Sequence, residues 1–162
     1  MGKTRMIVAC MAVLAVMVIV QSAAAQGKLE GVWKVTEVSM SGPDAFKETN
    51  PQPSLFVFTK KHFSTSSITA DKPRPVQPTD KATDAQKLAA WEGFDAEAGT
   101  YEIKGTNLIM QGVVAKDPED MQPGKPHIYD FKIEGNTLSL TVKVNQDGPL
   151  PNPMNFKLVR VE

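Results

Sequence analysis

Side chains able to do chemistry are few in this sequence, and their spacing favours holding a small molecule over transforming one. His127 and Tyr129 stand two residues apart in an alternating apolar run, so both project to one face of a strand, together with Phe131. Tyr101 and Met110 occupy facing positions on either side of Gly105-Thr106, and Phe58 closes another short apolar run. Each tyrosine hydroxyl needs a partner once buried, supplied either by a ligand or by the protein itself. His127 begins its strand beside a proline-rich loop, at the rim of whatever the strand encloses, whereas His62 adjoins Lys60-Lys61 at a hairpin tip and reads as solvated. The candidate ligand-binding set is therefore Phe58, Tyr101, Met110, His127, Tyr129 and Phe131. Phe56, Phe63, Leu140 and Val142 share the same inward faces as core or lining residues.

Catalysis has little to stand on. There is no Gly-x-Ser-x-Gly, no phosphate-cradling glycine loop and no His-Glu-x-x-His, and two histidines in separate strands make no metal set. Neither an enzyme, a cofactor nor a metal is expected. The 18 basic and 18 acidic residues leave no basic footprint for nucleic acid or anionic membrane.

The first 25 residues read as a secretory signal peptide. Lys3 and Arg5 form a basic start, Met6 to Val20 an uncharged apolar run, and Ala23-Ala24-Ala25 a cleavage site before Gln26. The run is shorter than the roughly 20 residues of a spanning helix. Cys10 lies too early to be a lipidated first residue. Cleavage predicts a periplasmic or secreted protein with no membrane span, and it removes the chain's single cysteine, so residues 26–162 form one disulfide-free domain with a formal charge of minus two.

What positions the candidate residues is a series of strands. Apolar residues recur with period two in eight runs: 29–39, 54–59, 62–69, 99–104, 107–115, 127–134, 137–144 and 155–161. Two-residue turns at Gly105-Thr106 and Gly135-Asn136 fix two registers. They pair Ile103 with Leu108, Tyr101 with Met110 and Gly99 with Gly112, and then Ile133 with Leu138, Phe131 with Leu140, Tyr129 with Val142 and His127 with Val144. One helix, Asp84 to Trp91, is capped by Thr83 and Gln86. Trp91 and Phe94 either close a barrel end or pack the helix on it. The segment Lys72 to Pro78, with three prolines, is an extended connector. Glu37 shares the face of Trp33 and must either be paired or lie at a mouth.

Together these runs predict an all-β, eight-stranded antiparallel up-and-down barrel with one short helix between strands three and four. A two-sheet sandwich is the alternative. Barrels of this size either fill with side chains or enclose one small ligand.

Leu29-Glu30-Gly31-Val32-Trp33-Lys34-Val35 at the start and Lys157-Leu158-Val159-Arg160 at the end resemble the Gly-x-Trp signature and terminal arginine of lipocalins and the wider calycin group. Pro53 to Ser64 and Gly99 to Ile103 are similar to bacterial lipocalin-like domain proteins. The resemblance implies a lipocalin-like barrel in which Trp33 and Arg160 meet at one closed end, and a monomer that holds a small hydrophobic ligand inside. The chain departs from typical lipocalins in lacking cysteines in the domain and a helix near the C-terminus. A cell-envelope structural or interaction protein with a side-chain-filled barrel is the second reading, and an enzyme on the same barrel the third.

Overall fold

The computed structural model describes residues 25–73 and 80–162. Residues 1–24, on which the expected signal peptide and Cys10 fall, and residues 74–79 of the expected connector lie outside the described residues.

Ten strands form one sheet: β1 (Gly31–Met40), β2 (Phe46–Thr49), β3 (Ser54–Phe58), β4 (His62–Ile68), β5 (Phe94–Lys104), β6 (Asn107–Ala115), β7 (His127–Glu134), β8 (Thr137–Asn145), β9 (Gly148–Pro149) and β10 (Met154–Arg160). Eight of them pair in sequence order, antiparallel throughout, and β10 bonds to both β8 and β1, which closes the barrel. Closure removes the open sheet edges that would otherwise invite another strand. The two strands beyond the expected eight are short additions at its margin: β2 extends β1, and β9 folds back on β8.

The helix does not fall between the third and fourth strands as expected. α1 (Asp84–Glu92) stands between β4 and β5, because β2 adds a strand early in the chain, and a second helical stretch, residues 25–29, precedes the barrel. Thr83 caps α1: its hydroxyl accepts from Gln86 N at 3.3 Å, and Gln86 Oε1 accepts from Thr83 N at 2.9 Å. The helix buries none of its residues. Trp91 therefore neither closes the barrel nor packs on it; it is 56% exposed, with Lys116 Nζ 5.8 Å from its ring centre.

Both hairpin turns place their glycine at positive φ, Gly105 at 62° and Gly135 at 58°. Their registers bring together Ile103–Leu108, Tyr101–Met110 and Gly99–Gly112, and Ile133–Leu138, Phe131–Leu140 and Tyr129–Val142. The expected His127–Val144 pair does not form. A bulge between Ile128 and Tyr129 shifts the register, so that Val144 faces Ile128. A second bulge between Val35 and Glu37 breaks the alternation of β1. Glu37 leaves the face of Trp33 and pairs outside with Lys47 at 2.9 Å, and Val38 takes the inward position.

The core fills one end of the barrel. Leu29, Trp33, Leu108, Met110, Leu138 and Leu158 are fully buried there, with Phe58, Phe63 and Tyr101 beside them. Trp33 faces Arg160 across β1–β10 and Phe56 across β1–β3. Its indole nitrogen donates to Leu29 O at 2.8 Å. The Arg160 guanidinium carbon lies 4.2 Å from the indole centre, and its nitrogens donate to the carbonyls of Glu30 and Lys28. A buried ring, a stacked cation and two satisfied carbonyls thus seal this end.

Candidate functional site

The opposite end of the barrel is open. A cavity of about 710 Å³ is walled by the ends of β1, β3, β4, β5, β7 and β10 that lie away from Trp33. Its apolar side is Val35, Val38, Phe56, Ile68, Met154 and Phe156, and its polar side Ser54, Thr65, Ser67, Asp95, Glu97, Asp120, His127 and Tyr129. Phe56 and Phe156 lie 6.2 Å apart, centre to centre, and make one aromatic wall.

The charged part of the polar side is built from three elements. β5 begins at Phe94, and its early residues Asp95 and Glu97 reach the wall; Glu97 pairs with Thr65 of β4 and Ala115 of β6. The 3-10 turn Pro118–Met121 brings Asp120 over β6. β7 brings His127 and Tyr129. A pair of glycines makes this approach possible. A methyl group on Gly99 would stand 2.0 Å from Gln111 O, and one on Gly112 would stand 2.5 Å from both Asp120 O and Glu97 Oε1. Only a residue without Cβ lets the turn and the Glu97 carboxyl settle against β6.

His127 lies between two carboxylates. Its Nε2 is 3.3 Å from Asp120 Oδ1 and 3.0 Å from Gln146 Oε1, while Nδ1 is 3.9 Å from Glu97 Oε2. Nε2 thus faces two oxygens, and Nδ1 is turned to Glu97. The Glu97 side chain is 9% exposed and accepts no hydrogen bond from any described residue. Burial, reinforced by the charges of Asp120 and Asp95, pushes its carboxyl up to about 7. Burial also holds Asp120 above the ordinary carboxylate range, opposed by His127. The Tyr129 hydroxyl is pushed up by burial and then by Glu97, Asp120 and Asp95. The site is an apolar hollow with an acid-rich, partly protonated rim on one side. Among the described residues, no group of three or more His, Cys, Asp or Glu side chains is arranged to hold a metal ion.

Of the six expected ligand-binding residues, the structure brings His127 and Tyr129 to this cavity. Phe58 and Tyr101 sit toward the sealed end, and Met110, fully buried, pairs with His127 across β6–β7 without lining the cavity. Phe58 and Tyr101 meet edge to face at 5.5 Å, and the Tyr101 hydroxyl donates to Thr59 O at 2.6 Å, so it is a satisfied core tyrosine. Burial raises it to about 12. Phe131 is half-buried on the core's flank, two residues further from the cavity than Tyr129. Period-two alternation identified the inward face but not the depth along it, and depth separates core from cavity in a barrel sealed at one end.

Glu97 and Asp120 were missed. The strand expected from Gly99 starts five residues earlier, because Phe94-Asp95-Ala96-Glu97-Ala98 has weak apolar alternation, and Asp120 lies in a loop. The one signal available was that Gly99 faces Gly112, since paired glycines in a strand mark a close backbone approach.

No family model matches this chain, and no curated protein matches it. Among solved structures, it is similar to a lipocalin-like protein from Bacteroides uniformis, at 15% identity, with 83% of this chain and 99% of that one covered and a TM-score of 0.45. The strand order carries the architectural conclusion independently: eight antiparallel strands in sequence order, closed by the pairing of the first with the last, make this an up-and-down barrel, the architecture that the resemblance to lipocalins implies.

Proposed function

We propose that the protein binds a small, mainly apolar molecule in the open end of its barrel, and does so as an exported protein. The observation that carries the binding reading is the cavity of about 710 Å³ between Phe56, Phe156, Met154 and Tyr129, within the 300–1,000 Å³ range of small-molecule pockets and with their usual mixture of apolar wall and few polar groups. A side-chain-filled barrel would leave no such space. Among the described residues no helix is long and apolar enough to cross a membrane.

The test is fluorescence titration with N-phenyl-1-naphthylamine, an apolar dye that brightens when it leaves water. Saturable one-to-one binding is expected, weakened about tenfold or more in Val38→Trp, whose added ring occupies the hollow. Binding that is unsaturable, or indifferent to Val38→Trp, would overturn the reading. Export is tested separately by intact-mass measurement of the protein from its native cells, with Gln26 expected as its first residue.

Glu97 and His127 favour a second reading, an acid–base enzyme, since a carboxyl raised to about 7 beside an imidazole is suited to proton transfer. It would be supported by turnover of a bound compound that Glu97→Gln abolishes while the far-ultraviolet circular dichroism spectrum stays unchanged.

A further inference from the structure

We propose that the ligand of this cavity carries a primary ammonium group on its apolar body, the nitrogen held at the acidic edge of the cavity, where Glu97 and Asp120 stand on either side of His127, and the body against Val38, Phe56, Met154 and Phe156. The proposal rests on the binding reading above and names the class of molecule that reading requires.

Three observations carry it. The first is charge: the cavity wall includes five carboxylates, Glu48, Asp71, Asp95, Glu97 and Asp120, and among the described residues no lysine or arginine. An anionic head would meet repulsion along the acidic edge. The second is the state of Glu97, whose side chain is nine-tenths buried, faces the cavity and accepts no hydrogen bond from a described residue; the His127 Nδ1 that faces it stands at 3.9 Å, beyond hydrogen-bond reach, and its other charged neighbours, Asp95 and Asp120, are carboxylates. A buried carboxylate without donors is costly, and a neutral alcohol or a hydrocarbon end would leave most of that cost in place. An ammonium brings three donors and the opposite charge. The third is placement. Asp120, 13% exposed at its side chain, stands on the other side of His127 from Glu97, and its Oδ1 has only the His127 contact. The two carboxylates thus flank one edge of an otherwise apolar hollow, which matches a cationic nitrogen at one end of an apolar molecule.

Proton traffic gives the proposal a signature. In the empty site burial holds Glu97 partly protonated near neutral pH, with its carboxyl at about 7. A bound ammonium favours the ionised form, so binding near neutral pH expels a proton from the site. The groups facing Glu97 are Asp95 on β5, Asp120 on the 3-10 turn, and His127 and Tyr129 on β7. Carboxylate ionisation favours a cation as pH rises, so the affinity for an amine increases from acid toward neutral pH.

The experiment compares decylamine, decanol and decanoate, which share one apolar chain, as competitors for bound N-phenyl-1-naphthylamine. Calorimetry of decylamine in two buffers of different ionisation enthalpy accompanies it. Decylamine is expected to bind about tenfold or more tightly than either relative, as charge-assisted hydrogen bonds to a buried carboxylate would give, and to release protons near neutral pH. Glu97→Gln should remove the proton release and most of the preference, and Asp120→Asn should reduce the preference, each with an unchanged far-ultraviolet circular dichroism spectrum as the check on folding. Equal binding of decanol and decylamine, or a preference that survives both substitutions, overturns the ammonium site while leaving the binding reading intact. Loss of dye binding by the unmodified protein overturns both.

Discussion

The guanidinium of Arg160 lies over the indole of Trp33 at 4.2 Å, although one residue opens the barrel and the other closes it. Because the same guanidinium also donates to the carbonyls of Glu30 and Lys28, it ties three parts of the chain: β1, β10 and the helical stretch ahead of them. This clasp defines the sealed end, so the barrel interior is reached from the other.

A double-mutant cycle measures the clasp. Trp33→Ala should cost about 3–5 kcal/mol for loss of a fully buried aromatic. Arg160→Ala should cost about 1–3 kcal/mol, with a coupling energy between the two of about 0.5–2 kcal/mol. Strictly additive losses in urea unfolding would mean that the stacked geometry contributes nothing. Dye binding should survive Arg160→Ala in protein that remains folded, because the clasp lies away from the cavity.

Glu97 should make stability depend on pH. Its folded carboxyl is raised from the ordinary 4.5 to about 7, so the folded state holds a proton that the unfolded chain releases earlier. The stability this confers is complete below 4.5 and is lost as pH rises through about 7. Glu97→Gln, which cannot ionise, should therefore match the unmodified protein near about pH 4 and exceed it by up to about 3 kcal/mol near about pH 8. Urea unfolding at both pH values checks this, and a difference that does not change with pH would contradict the assignment.

Gly112→Ala should disturb the acidic side of the cavity from behind. The new methyl would stand 2.5 Å from Asp120 O and Glu97 Oε1, so the 3-10 turn or the carboxyl must move. Overpacking of this kind costs about 1–3 kcal/mol. Thermal unfolding should show the loss, and binding of decylamine should weaken more than binding of the uncharged dye. Equal weakening of the two would mean that the carboxylates were not displaced.

The two tyrosines should separate core from site. Tyr101→Phe removes a hydroxyl that donates to Thr59 O, costing about 1 kcal/mol in unfolding experiments and leaving dye affinity unchanged. Tyr129→Phe alters the cavity wall itself and should change dye affinity or its emission maximum. The reverse pattern would place the ligand at the sealed end.

Much of this architecture was legible in the residues. The turns at Gly105 and Gly135 required positive φ, and with two-residue loops they determine which side chains face each other. The capping pair Thr83 and Gln86 marked the start of α1. What could not be read were the places where a strand departs from regular alternation. The bulge after Val35 turned Glu37 outward and Val38 inward, and the bulge at Ile128 moved His127 away from Val144. Each bulge satisfies barrel curvature, a property of the closed sheet rather than of any local run. The site was half legible for the same reason. His127 and Tyr129 follow from alternation, whereas Glu97 and Asp120 meet only because Gly99 and Gly112 let β5, β6 and the 3-10 turn approach.

The central claim is that the open end of the barrel receives a small molecule, and amide chemical-shift mapping during titration with N-phenyl-1-naphthylamine tests it most directly. Ring-current shifts should concentrate at Val38, Phe56, Thr65, Glu97, Tyr129 and Phe156, saturate at one dye per chain, and leave Leu108, Leu138 and Leu158 at the sealed end unmoved. Shifts confined to the exposed apolar residues Leu88, Trp91 and Val114, or no saturable shifts at all, would contradict it.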